Sequence, residues 1–125
     1  MANVIIAIGS NYRQSAHVTW ASQCLSLLLD NVWLSPMLWS HDIHQGGIMY
    51  LNRLAMGTTT LTPDRLNSVL KDLEAKTGRN GHHVTIDLDL MLYDRQRYHE
   101  RDWPRAYIQR LLPFLPNAQL SIFNF

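Results

Sequence analysis

Sulfur chemistry has almost nothing to work with in this chain of 125 residues, which carries a single cysteine, Cys24. One thiol excludes an intrachain disulfide and any C-x-x-C metal or redox motif. Its neighbours Ala21, Leu25 and Leu28 fall at helical spacing, which marks it as a buried, inert side chain. An excess of either charge is missing too: eleven Lys and Arg stand against ten Asp and Glu, a formal net charge of +1. Nothing global therefore argues for nucleic acid or an anionic membrane as a partner. No apolar run is long enough to span a bilayer. The opening M-A-N-V-I-I-A-I-G-S has no basic n-region and no cleavage motif, so a cytoplasmic protein is expected. There are no repeats, low-complexity tracts or linkers, which leaves one domain over residues 1–125.

What is present suits an ordinary globular domain: 46% hydrophobic and 17% charged residues, enough to bury a core without staples. Val4 to Ile8 is a β-branched apolar run ended by Gly9-Ser10-Asn11, a buried strand leaving into a turn. From Ser15 to Leu29, Val18, Ala21, Leu25 and Leu28 repeat with helical period, and Asp30-Asn31 stops the helix. Val32 to Trp39 reads as a second strand, with Pro36 implying an edge or a bulge. Polar Ser40 to Gly47 reads as a loop, and Ile48 to Met56 as a third strand. Thr62-Pro63-Asp64 opens a second helix with a hydroxyl cap, a first-turn proline and an acid at the dipole's positive end. Leu66, Val69, Leu70 and Leu73 form its buried stripe, and Gly78 its C-cap. Val84 to Leu92 is a fourth strand, followed by a basic segment, a short helix near Pro104 to Leu112 and a proline-broken apolar tail. The order strand-helix-strand-strand-helix-strand predicts an α+β, ferredoxin-like fold: a four-stranded antiparallel sheet, both helices on one face, and a C-terminal extension.

Within the fourth strand, T-I-D-L-D-L places Asp87 and Asp89 on one face with Cβ atoms about 6–7 Å apart, at a rise of about 3.3 Å per residue. Such a pair suits Mg²⁺, a hard cation that takes oxygen ligands and keeps phosphates in its shell, and two ions so held can clamp a phosphoryl group. The blander meaning, the wet face of a half-exposed strand, is the commoner one for D-x-D alone. Five of the nine arginines (Arg95, Arg97, Arg101, Arg105, Arg110) and His99 cluster between 95 and 110; they would neutralise a polyphosphate or simply coat a helix. Tyr50 and Asn52 share a strand face, offering a ring and an amide to a flat heterocycle, or serving as rim residues. His41 and His44 fall in the loop and read as solvated. His82-His83 follow a tight connection close to Asp87. Gly9-Ser10-Asn11 has neither the spacing nor the lysine of a P-loop.

Taken in order, A-I-G-S-N (7–11), Y-L-N (50–52), E-A-K-T-G-R (74–79), T-I-D-L-D-L-M-L-Y (85–93), His99 and R-A-Y-I (105–108) resemble the 6-hydroxymethyl-7,8-dihydropterin pyrophosphokinase family of folate biosynthesis. The resemblance implies a Mg²⁺-dependent diphosphotransferase that moves the β,γ-diphosphate of ATP to a reduced pterin and releases AMP. Asp87 and Asp89 would then hold two Mg²⁺ ions and, with Arg105, form the catalytic set. Glu74, Arg79, His99 and Arg105 would serve ATP. Asn52 would bond the pterin between the rings of Tyr50 and Tyr107. The implied partners are small molecules only, with no nucleic acid or membrane, and the chain would be a monomer or weak dimer. One departure stands out: the family's long arginine-bearing loop before the aspartate strand shrinks to Asn80-Gly81-His82-His83, with Arg79 its remaining arginine and Val84 where another is usual. His82, His83 or an arginine from 95–101 would have to substitute. Otherwise the chain is a slow or inactive relative that binds pterin or nucleotide without transfer. A ferredoxin-like interaction module with no chemistry is the third reading, and fold alone does not exclude it.

Overall fold

A computed structural model describes residues 1–41, 47–78, 81 and 83–116 of the chain. Its elements run β1 (Ala2–Ser10), α1 (Gln14–Leu28), β2 (Asp30–Leu34), β3 (Leu38–His41), β4 (Met49–Thr59), α2 (Pro63–Ala75), β5 (Asp87–Tyr93), β6 (Gln96–Arg97) and α3 (Ala106–Leu111), with a 3₁₀ turn at Leu112–Phe114. The class is α+β with an antiparallel sheet, as the element pattern predicts. That sheet has six strands rather than four, in the order β2-β4-β1-β5-β6, with β3 also paired to β4.

Both extra strands have local causes. The run from Val32 to Trp39 is broken at Pro36, which has no N–H for the ladder, so it becomes β2 and β3. Ser35 bridges the break: its backbone N–H donates to Leu54 O at 2.9 Å and its Oγ accepts the Leu54 N–H at 2.8 Å. Arg53 on β4 donates to Ser35 O at 2.8 Å and to Ser22 Oγ of α1 at 3.2 Å, and burial holds its pKa below the ordinary value. β6 follows a turn through Asp94, which takes a left-handed φ of 52°, a conformation that short polar side chains tolerate. Ser40 and His41, expected in a loop, belong to β3. Residues 42–46, including His44, and the tail from 117 lie outside the described residues.

Period-two alternation sorts the sheet's side chains into two cores. On one face Val4, Ile6, Ile8, Leu88 and Leu90 pack with Val18, Ala21 and Leu25 of α1 and Leu66 and Leu70 of α2. On the other face Ile5, Ala7, Leu54 and Met56 meet Trp103, Ile108, Leu111, Leu112 and Leu115. The β1–β5 ladder shifts between Ile5 and Ile6, leaving Met91 as an extra residue. Both Met91 and Leu92 thereby join the second core, as a bulge allows. Cys24 is half-buried rather than buried. Among the described residues no helix is long and apolar enough to cross a membrane.

Leu70 is fully buried, whereas Thr62 is an exposed N-cap whose side chain accepts the Arg65 N–H at 3.3 Å. Denaturant unfolding should show Leu70→Ala losing about 2–5 kcal/mol and Thr62→Ala about 1 kcal/mol.

Candidate active site

The centre of the sheet supplies a floor. Gly9 of β1 pairs with Asn52 of β4 on one side and Asp87 of β5 on the other, and Ala7 pairs with Leu54 and Asp89. Both aspartates therefore point to the α3 face, across two of the smallest side chains in the protein. A Cβ at Gly9 would rest 3.5 Å from Asn52 Oδ1 and 3.6 Å from Tyr50 Cδ1, so glycine keeps this floor open. Above it lies a cavity of about 400 Å³, lined by Tyr50, Asn52, Asp87, Asp89, Arg105 and Tyr107, with Ser40, His41 and Asp102 at its sides.

Asn52 is buried, and its Nδ2 donates to Leu38 O at 3.0 Å and to Ser40 Oγ at 2.7 Å. A carbonyl accepts only, so the amide orientation is fixed. Oδ1 is left towards Gly9 and the cavity as a hydrogen-bond acceptor. Tyr50 receives a bond at 3.5 Å from Asn11 Nδ2, and Asn11 Oδ1 accepts the Val84 N–H at 2.7 Å. Asn11 thus ties the lead-in of the aspartate strand to the turn after β1, ahead of β5 at Asp87.

On the opposite wall, Trp103 anchors the segment entering α3. It is buried, its Nε1 donates to Tyr98 O at 2.9 Å, and the Arg97 guanidinium lies 4.1 Å from its ring centroid. Successive backbone turns, Asp102 N–H to His99 O and Arg105 N–H to Asp102 O, bring three polar side chains to the cavity side. His99 Nε2 lies 3.7 Å from Asp89 Oδ1, and Arg105 Nε lies 3.2 Å from Asp102 Oδ1. Burial, then the charge of Asp102, pushes the Tyr107 phenol up to about 12, with Arg105 opposing and Asp89 adding. Tyr107 is thus a neutral ring beside a charged wall.

α2 closes the third side by reaching round the edge of β5 opposite β1. Glu74 is buried, and its Oε2 accepts the Leu88 N–H at 2.8 Å. Oxygens of Glu74, Asp87 and Asp89 lie within 4.8 Å of one another, and so do ligand atoms of Asp89, His99 and Asp102. The first set is all oxygen and sits over a floor without bulk, a donor set that fits Mg²⁺.

Of the residues singled out in the sequence, Tyr50, Asn52, Asp87, Asp89, Arg105 and Tyr107 share the cavity. Glu74 and His99 flank Asp89. Arg79 and His82 lie outside the described residues. His83 stacks on Tyr12 at 4.0 Å between ring centroids. Sequence reasoning read His41 as a solvated loop residue, whereas it lines the cavity, and gave no individual role to Asn11, Asp102 or Lys71; Lys71 carried a signal, since it precedes Glu74 by one helical turn and shares its face.

A family model described as 7,8-dihydro-6-hydroxymethylpterin-pyrophosphokinase matches residues 5–121. No curated protein matches the chain.

With a folded pKa of about 12 against an ordinary 10.0, the fold favours the protonated Tyr107 phenol. Its stabilising contribution is complete below the ordinary value and is lost as pH rises through the folded one. Absorbance titration of tyrosinate should show a late step near pH 12 that Tyr107→Phe removes.

Proposed function

The chain belongs to the 7,8-dihydro-6-hydroxymethylpterin-pyrophosphokinase family, and on that premise we propose that it transfers diphosphate from ATP to the hydroxymethyl group of 6-hydroxymethyl-7,8-dihydropterin. The hydroxymethyl oxygen attacks the β-phosphorus and releases its proton to solvent, the bond to the oxygen bridging towards the α-phosphate breaks, and AMP leaves with that oxygen. What supports this reading is the meeting of two unlike surfaces in one cavity of about 400 Å³, a size suited to small ligands. One surface is aromatic and amide (Tyr50, Tyr107, Asn52), and the other is charged (Asp87, Asp89, Arg105).

Each side chain has a role its surroundings favour. Asn52 Oδ1, fixed by the two bonds that hold its Nδ2, accepts from an N–H on the pterin's edge. Tyr50 and Tyr107 bracket the ring system. Asp87 and Asp89, with Glu74 behind them, would hold Mg²⁺, which when bound neutralises phosphate charge and aligns the diphosphate for in-line transfer. Arg105 and His99 face the phosphates and offset charge that builds on them, the main lever in phosphoryl transfer. Arg79 completes the ATP side in this reading.

We also read the sheet as ferredoxin-like. Setting aside β3 and β6, the order β5-β1-β4-β2 supports it, with α1 and α2 packed on one face. A cytoplasmic enzyme acting on small molecules, monomeric or weakly dimeric, is the setting this implies.

Mixing the protein with ATP, Mg²⁺ and 6-hydroxymethyl-7,8-dihydropterin should yield AMP and pterin diphosphate in equal amounts by chromatography. Pterin binding without any AMP would favour a relative that binds and does not transfer. In Asp89→Ala turnover should fall at least about 10³-fold with the melting transition retained; unchanged turnover would remove Asp89 from the metal site.

A further inference from the structure

The connection before the aspartate strand keeps Arg79 as its one arginine, which gives more weight to cations among the described residues near the carboxylates. His83 is stacked on Tyr12, and Arg97 lies over Trp103 and 3.6 Å from Glu100. Arg95 and Arg101 are exposed. Lys71, one of only two lysines in the chain, is placed differently. Its Nζ lies 3.1 Å from Glu74 Oε2 and 3.7 Å from Asp89 Oδ1, and donates to Leu88 O at 3.4 Å. A compact ammonium thus sits against Glu74 and Asp89, whose oxygens gather with those of Asp87 within 4.8 Å of one another. The Lys71 side chain is 47% exposed, so its stem can move without unpacking the helix.

We propose that Lys71 is the built-in counter-ion of these carboxylates and passes to the phosphate chain when a divalent-metal nucleotide binds. This deepens the pyrophosphokinase reading and rests on it for the identity of the nucleotide. Carboxylates this close repel one another, and the ammonium offsets that repulsion while the site is unloaded. A divalent ion arriving alone meets a like charge already seated against Asp89 and binds weakly. An ion arriving with a polyphosphate brings oxygens that give the ammonium a new partner, so metal and nucleotide binding become coupled. Lysine suits this better than arginine because its charge is a point on a flexible stem rather than a rigid fork.

The test uses two neutral variants, Lys71→Gln and Lys71→Met, with Lys71→Arg as the charge-keeping control; either neutral variant with a wild-type melting transition can be scored. Mn²⁺ affinity without nucleotide is read by electron paramagnetic resonance. Affinity for the α,β-methylene analogue of ATP with Mg²⁺ is read by calorimetry. Neutral substitution should strengthen Mn²⁺ binding about tenfold and weaken analogue binding about tenfold, while Lys71→Arg stays within about threefold on both. If either constant stays within about twofold of wild type in a folded neutral variant, Lys71 is only a surface ion pair and the proposal is overturned. A wild type that makes no AMP, with both shifts present in the variant, would sink the transfer reading and leave this one standing.

Discussion

The site depends on strand register more than on any single bond. Asp87 and Asp89 face the cavity because Gly9 and Ala7 stand opposite them across the β1–β5 ladder, and Asn52 joins because it stands opposite Gly9 across β1–β4. With a side-chain period of two, a slip of one residue would turn both carboxylates into the core under α1 and α2. The cost of burying them there unpaired is what enforces the alignment. The bulge at Met91 adds a second lock. It lets Met91 and Leu92 both join the core beneath α3, and that packing would be lost in any other register.

A second constraint comes from the sheet's edge. Beside Asp87 to Leu90, β5 has β1 on one flank and, among the described residues, no paired strand on the other, a geometry that invites pairing with another chain. α2 covers it, and Glu74 takes the Leu88 N–H that a further strand would have used. Protecting the edge and gathering acidic oxygens at the site are thus one arrangement. The carboxylate that satisfies the backbone also deepens the negative field around Asp89, where the Lys71 ammonium lies.

Much of this was legible in the sequence where a single period or cap decides the structure. The alternation Ile86, Leu88, Leu90 against Asp87, Asp89 set the faces of β5, and Thr62-Pro63 set the start of α2. Legibility failed where two elements compete for one stretch. Pro36 signalled an interruption, yet whether the chain resumes pairing after it depends on Ser35 meeting Leu54, a contact 19 residues away. β6 rests on a left-handed Asp94, which no periodicity announces. At the site, types that pair in sequence (Tyr50 with Asn52, Asp87 with Asp89) could be read. Asn11 could not, because its partner Val84 becomes a neighbour only once the sheet is assembled, and for Lys71 the helical spacing to Glu74 was visible but the approach to Asp89 was not.

The two cores also divide the protein's evolutionary freedom. Residues under α1, such as Val18 and Leu25, sit on the face of the sheet away from the cavity, and Leu66 under α2 shares that face although its helix reaches the site. Those under α3, such as Trp103 and Ile108, hold the segment that presents His99, Arg105 and Tyr107. Drift beneath α1 acts mainly on robustness, drift beneath α2 also shifts Glu74 and Lys71, and drift beneath α3 moves the charged wall itself. The two faces of one sheet thus carry unequal shares of the site: α3 holds one wall, and α2 reaches the other only through Lys71 and Glu74.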